Sequence, residues 1–193
     1  MNLENSSMYL LGINLIGFVL YLINMALYRF TENGEVDGLL TIVSLLGGSA
    51  GILLAILLFD RKPEKENMMS RVFIASIFMI QLILFLVYKG YHGNHLNLDV
   101  VTFFLEHKFV LIYLIIINLL AFLIYGIDKR RAVTDQRRIP NVTLLGLAFI
   151  GGSIGGLAAV YCFRHKTNKD YYTVGIPLIL LMQVVVLLFI MNI

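Results

Sequence analysis

The chain has 193 residues, 59% of them apolar and 14% charged, with a mean hydropathy of +0.85. A water-soluble domain is nearer half apolar and about a quarter charged, so that class is excluded, and a disordered chain would be poor in aliphatic and aromatic residues. The net charge is only +3 and the cations flank apolar stretches, which argues against a nucleic-acid partner; the single cysteine, Cys162, can form no intramolecular disulfide and no Cys-rich zinc site.

Six uncharged stretches follow along the chain, at 8–28, 39–59, 72–88, 109–127, 142–163 and 171–193. A hydrocarbon core of about 30 Å takes about 20 helical residues at 1.5 Å each, so each stretch predicts a helix that crosses a membrane. Helices are the expected form because backbone groups in lipid must bond within their own segment. The first stretch follows Glu4 with no Lys or Arg before it, so it reads as a retained helix rather than a cleaved signal. The longest connection, 89–108, contains His92-Gly93-Asn94-His95. Two imidazoles without a third ligand make a loop, not a metal site.

The chain resembles itself at an offset of 104. Asn14-Leu15 meets Asn118-Leu119, and Phe18 and Tyr21 meet Phe122 and Tyr125. Gly47, Gly48, Ser49 and Gly51 meet Gly151, Gly152, Ser153 and Gly155, and Gln81 meets Gln183 after a two-residue shift. The expected fold is therefore an all-α integral membrane protein. It has a first three-segment repeat over 1–88, a connecting loop over 89–108 and a second repeat over 109–193. Three crossings per repeat make the second copy inverted, as recurs in transporters. Six crossings put nine basic residues on one side and six on the other, which places the N-terminus in the cytoplasm. They also place Thr134 and Asn168 on opposite sides. The alternative is four crossings with two re-entrant hairpins, 39–59 and 142–163, each turning at its Gly-Gly-Ser centre. Thirteen basic residues then share one face, against two on the other.

The second repeat reads Asp128-Lys129-Arg130-Arg131-Ala132, then Arg138-Ile139-Pro140, then Gly151-Gly152-Ser153-Ile154-Gly155, then Phe163-Arg164-His165-Lys166-Thr167. From about 111 to 189 it resembles a family of small bacterial integral membrane proteins of unknown function. Their signature joins Asp-Lys-x-x-Ala, Arg-Ile-Pro, Gly-Gly-x-x-Gly and Phe-Arg-His-Lys-Thr, in most members as a single unit. The resemblance implies a bacterial cytoplasmic membrane protein and supplies no reaction. Asn141 stands where the family carries an acid, and Tyr172 fills an expected aromatic position. The first copy is degenerate, with Asn24 in place of Asp128 and Asp60-Arg61-Lys62-Pro63 in place of Arg-His-Lys-Thr.

The sharpest constellation is Arg164, His165, Lys166, Thr167 and Lys169. A guanidinium fork, an ammonium and a hydroxyl together suit a phosphate or carboxylate, or anionic lipid head groups. Asp128, Lys129, Arg130, Arg131 and Arg138 form a second basic face, in which Asp128 reads as part of a solvated stop signal. Gly47, Gly48, Gly51, Gly151, Gly152 and Gly155 suit close helix packing or hairpin turns, and Asn14, Gln81, Asn118 and Gln183 suit hydrogen bonds between helices. No metal or other cofactor is implied, and no oligomeric state. The best-supported expectation is transport or translocation of a small anionic solute or lipid. The alternatives are a membrane-embedded enzyme acting on a phosphate-bearing lipid, with His165 as acid or base, and a non-catalytic scaffold.

Overall fold

The computed structural model describes residues 3–30, 37–62, 67–93 and 96–193. Pro63, Lys65, Asn94 and His95 lie outside these, as do the side chains of Glu4 and Arg29. Every regular element among the described residues is helical. Six stretches are long and apolar enough to cross a membrane: Ser6–Leu27, Gly38–Phe59, Met68–Tyr88, Lys108–Val133, Asn141–Cys162 and Asp170–Met191. The chain divides into two compact units, Met1–Leu82 and Ile83–Ile193.

The first unit holds α1 (Leu3–Phe30), α2 (Asp37–Val43), α3 (Ser49–Phe59) and the start of α4 (Met68–Tyr88). Between α2 and α3 the turn Ser44–Gly48 is broken at Gly47, whose φ of 113° lies in the region that favours glycine. The broken turn lies against the beginning of α1, where the Tyr9 hydroxyl donates to the Leu46 carbonyl. The far end of α3 lies beside the later part of α1, where the Tyr21 hydroxyl donates to Asp60 Oδ2 at 2.6 Å. Leu40 of α2 and Ile56 of α3 share one buried cluster with Tyr21, so both arms leave the turn in the same direction along α1.

The second unit holds the rest of α4, then α5 (Val100–Glu106), α6 (Lys108–Val133), α7 (Asn141–Leu147), α8 (Ser153–Cys162), α9 (Asp170–Thr173) and α10 (Gly175–Met191). Pro140, with φ of −57° and no N–H to leave unpaired, precedes α7. Between α7 and α8 the turn Ala148–Gly152 is broken at Gly151, φ 128°. A straight helix of 22 residues would hold its ends about 33 Å apart. Instead Lys166 Nζ, just beyond α8, donates to Oδ1 of Asn141 at the start of α7, at 3.0 Å. The stretch 141–162 doubles back on itself. The expectation that it carries Thr134 and Asn168 to opposite ends is overturned, because a glycine at positive φ reverses the chain where six straight rods were expected.

Side-chain amides brace the bend. Carbonyls freed at the break accept from Gln183 Nε2 (Ala148 at 2.7 Å, Phe149 at 3.1 Å) and from Asn118 Nδ2 (Gly151 at 2.9 Å). The Tyr113 hydroxyl donates to the Ile150 carbonyl. At the start of α8, Gly155 N–H donates to Asn118 Oδ1 at 2.8 Å, and the Ser153 hydroxyl donates to Gln183 Oε1. Unpaired backbone at membrane depth is costly, so a re-entrant bend needs partners of this kind. The first unit has corresponding bonds from Gly51 N–H to Asn14 Oδ1 at 2.7 Å, from Gln81 Nε2 to the Ser44 carbonyl at 2.6 Å, and from Ser49 to Gln81.

The bend also requires close approach. A Cβ at Gly155 would sit 2.0 Å from the Asn118 carbonyl oxygen, and one at Gly51 would sit 1.9 Å from that of Asn14. Gly152 and Gly48 are similarly confined, by Leu147 and Ala121 and by Val43 and Ile13.

Candidate functional site

The end of the second unit that carries the signature is organised by Asp128. Its helix, α6, buries Ile117, Ala121, Tyr125 and Asp128, four positions at helical spacing on one face. The helix runs on to Val133, so Asp128 points inward and is 0% exposed. It is not part of a solvated stop signal. The Ile139 N–H donates to Oδ1 at 2.8 Å. His165 Nε2 and Lys166 Nζ reach Oδ2 at 2.9 and 2.8 Å. Lys166 supplies the counter-charge and the carboxylate accepts from all three groups, which places a proton on His165 Nε2.

Lys166 completes a ring around this pair. Besides Asp128, its ammonium donates to Asn141 Oδ1 at 3.0 Å and to the Tyr172 hydroxyl at 3.1 Å. The Tyr172 hydroxyl donates in turn to Asn141 Oδ1 at 3.0 Å, and Asn141 Nδ2 donates to the Tyr171 hydroxyl at 3.2 Å. Tyr172 meets Tyr125 edge to face, with centroids 5.8 Å apart, and closes the ring toward the core. Burial pulls the Lys166 ammonium below its ordinary range; the hydrogen bond and charge of Asp128 oppose that, and the Arg138 charge adds to it. The turn that presents these side chains places Arg164 and Lys166 at φ of 45° and 64°, an uncommon backbone for residues other than glycine. A hydrogen bond from His165 N–H to the Val160 carbonyl closes that turn.

The five residues expected to bind an anion therefore divide. His165 and Lys166 turn inward and are committed to Asp128, whereas Arg164, Thr167 and Lys169 are exposed. Of the second basic face, Lys129 is half-buried and Arg130, Arg131 and Arg138 are exposed. Arg130 and Arg131 line a shallow cleft of about 330 Å³ with Ile127, Thr134 and Gln136. The hairpin draws the two basic runs to one end of the unit, since Ile139 and His165 flank the same carboxylate. The roles of Asn141, Tyr172 and the Ile139 N–H were missed from sequence. The helical spacing Ile117, Ala121, Tyr125, Asp128, followed beyond the uncharged run, is the signal that could have placed Asp128 inside. Among the described residues, no three His, Cys, Asp or Glu side chains gather as metal ligands.

The corresponding end of the first unit is built differently. Asn24 is buried there. Asp60 instead accepts from Tyr21, from Asn67 Nδ2 at 3.1 Å and from Arg71 at 2.9 Å.

No solved structure matches the chain. Residues 118–172, which run from the Asn118 brace to Tyr172 of the ring, match the protein family of unknown function DUF1294. The uncharacterized protein YsdA of Bacillus subtilis (strain 168) is 36% identical over 75 residues, 39% of this chain and 84% of that protein. With 84% of that relative covered at 36% identity, and with the family match over residues 118–172, the chain belongs to the DUF1294 family.

Proposed function

We propose that this is a multi-pass protein of the bacterial cytoplasmic membrane that binds and translocates a small anionic solute or an anionic lipid. The observation that carries the reading is that Ile139 and His165, the neighbours of exposed Arg138 and Arg164, bond the same Asp128 carboxylate, although 26 positions separate them in sequence. Exposed Thr167 and Lys169 follow in the same turn region. Helices interrupted at mid-depth, with their backbone held by side-chain amides, are the construction that transporters use near their sites. The anion-binding surface in this reading is Arg138, Arg164, Thr167 and Lys169, with Lys129, Arg130 and Arg131 beside it. His165 and Lys166 position it through Asp128.

The two units read as copies of one ancestral unit. Support comes from the recurrence of the Tyr, Asn, Ser and Gln braces in each: Asn14 on Gly51 and Asn118 on Gly155, Tyr9 on Leu46 and Tyr113 on Ile150. A unit of two crossings and one re-entrant hairpin returns the chain to the side from which it entered, which removes the reason for expecting inversion. The thirteen basic residues then face the cytoplasm. The N-terminus lies opposite, in place of the cytoplasmic position favoured by six crossings.

Flux tests the function. Purified protein in liposomes is expected to move a labelled phosphate- or carboxylate-bearing solute, or a fluorescent anionic lipid, and the Arg138→Ala/Arg164→Ala variant is expected to lose that movement while remaining helical. Absence of flux for every anion and lipid tried with the unsubstituted protein would sink the proposal. The Asp128–His165 pair favours a second reading, chemistry on a phosphate-bearing lipid with His165 as acid or base, because a carboxylate that fixes an imidazole is a recurrent proton-transfer arrangement. Turnover that disappears in a folded His165→Gln protein would favour that reading over translocation.

A further inference from the structure

We propose that the segment from Leu96 to His107 lies in the membrane interface, with α5 parallel to the bilayer surface and its outer face against lipid. The inference is independent of the anion-translocation reading, because it concerns the opposite end of α6.

Two strands of observation meet here. The first is position. Asn192, which follows α10, donates from Nδ2 to the Asn97 carbonyl at 3.0 Å and accepts the Asn97 N–H on Oδ1 at 2.5 Å. Its carbonyl accepts the Gly93 N–H as well. At its other end the segment runs directly into Lys108, the first residue of α6. Met191 and Lys108 are both ends of stretches long and apolar enough to cross a membrane. The segment is thus tied at both ends to the edge of the hydrocarbon layer.

The second is patterning. Leu98, Val101 and Leu105 recur at i, i+3 and i+7, and they are 62%, 71% and 63% exposed. Asp99, Thr102 and Glu106 occupy the neighbouring stripe. Asp99 caps α5, accepting the Thr102 N–H at 3.0 Å, so Val100–Glu106 are fixed as a helix that sets Val101 and Leu105 apart from Thr102 and Glu106. Phe103 points inward and stacks on His107 at 4.5 Å, so the exposed leucines and valine do not form this segment's own core. The apolar stripe continues into Phe109, Ile112 and Ile116, which are exposed on α6, a helix long and apolar enough to cross a membrane. Tyr88 and Tyr91 are exposed at the same edge, as interfacial aromatic residues are. A helix with one apolar and one charged stripe, held at this depth, settles in the plane of the interface. Continuity with the exposed apolar surface of α6 makes lipid the occupant, rather than a second copy of the chain or another protein.

The chain contains no tryptophan, so a single introduced one reports its own surroundings. Leu105→Trp and Glu106→Trp proteins would each be reconstituted in phosphatidylcholine–phosphatidylglycerol vesicles, with Val101→Trp as a second apolar-stripe probe. Each would be challenged with acrylamide in the water and with lipids brominated on their acyl chains. The expected result is that tryptophan at 105 and 101 emits at short wavelength, loses most of its emission to brominated lipid and resists acrylamide, whereas at 106 the order reverses. Equal acrylamide quenching at 105 and 106 would overturn the proposal in favour of a water-exposed loop. Protection at 105 from both quenchers would overturn it in favour of a protein contact.

Discussion

Asp128 shows how one side chain can change the meaning of a basic cluster. Beside Lys129, Arg130 and Arg131 it looks like one charge among several at a membrane edge. In the folded protein it is the acceptor by which the end of α6 holds two other segments, the residue before Pro140 and the turn after α8. A buried ion pair that loses one partner leaves the other desolvated and uncompensated, at a cost of about 3–5 kcal/mol. Asp128→Ala is therefore expected to lower stability by about that amount in detergent, measured by thermal loss of circular dichroism. Adding Lys166→Met to it should recover part of the loss, because no lone charge then remains. Arg164→Ala, at an exposed neighbour, should stay within about 0.5 kcal/mol. If Arg164→Ala and Asp128→Ala lower the melting temperature equally, the ring around Asp128 is not what holds this end together.

The glycines of the two bends act through the helices that they let touch. At Gly155 the backbone of α8 lies so close to α6 that an added methyl group would overlap the Asn118 carbonyl. Gly155→Ala should push the two helices apart, break the Gly155–Asn118 hydrogen bond and cost more than about 2 kcal/mol, in the range of overpacked cores with a lost buried bond. Gly146, on α7, has open space where a Cβ would stand. Gly146→Ala should be neutral or stabilise by about 0.5–1 kcal/mol, the usual gain for alanine over glycine inside a helix. Paired thermal melts in one detergent check both, and a milder effect at 155 than at 146 would contradict the packing. Gly152→Leu is expected to abolish folded yield, since even a Cβ there would meet the Leu147 carbonyl at 2.7 Å.

The same bend bears on the path of the chain through the bilayer. With Asn141 and Lys166 joined by a hydrogen bond, positions 134 and 168 lie at one end of the second unit, and both are expected on one side of the membrane. With Cys162 replaced by Ala, single cysteines at 134 and at 168 should both react with a membrane-impermeant thiol reagent from the cytoplasmic face of inverted vesicles, and neither in intact cells. Labelling of the two positions from opposite faces would restore the straight six-crossing path and separate the Arg138 and Arg164 sides of the proposed anion site.

Much of this protein was legible in the sequence because membrane residence is written locally. An apolar run of about 20 residues declares a helix by its length alone, and the Gly-Gly-Ser-x-Gly and Asn and Gln matches at offset 104 mark the positions that now brace each bend. What length and composition cannot distinguish is a helix that crosses from one that turns back, since Gly38–Phe59 and Asn141–Cys162 satisfy both descriptions. The deciding quantities are the positive φ of Gly47 and Gly151 and the hydrogen bonds that satisfy the carbonyls freed there, and both depend on residues more than thirty positions away. For the same reason a row of basic residues could not reveal which of them face outward: His165 and Lys166 are drawn inside by a carboxylate 37 and 38 positions earlier, and only the tertiary fold brings it to them.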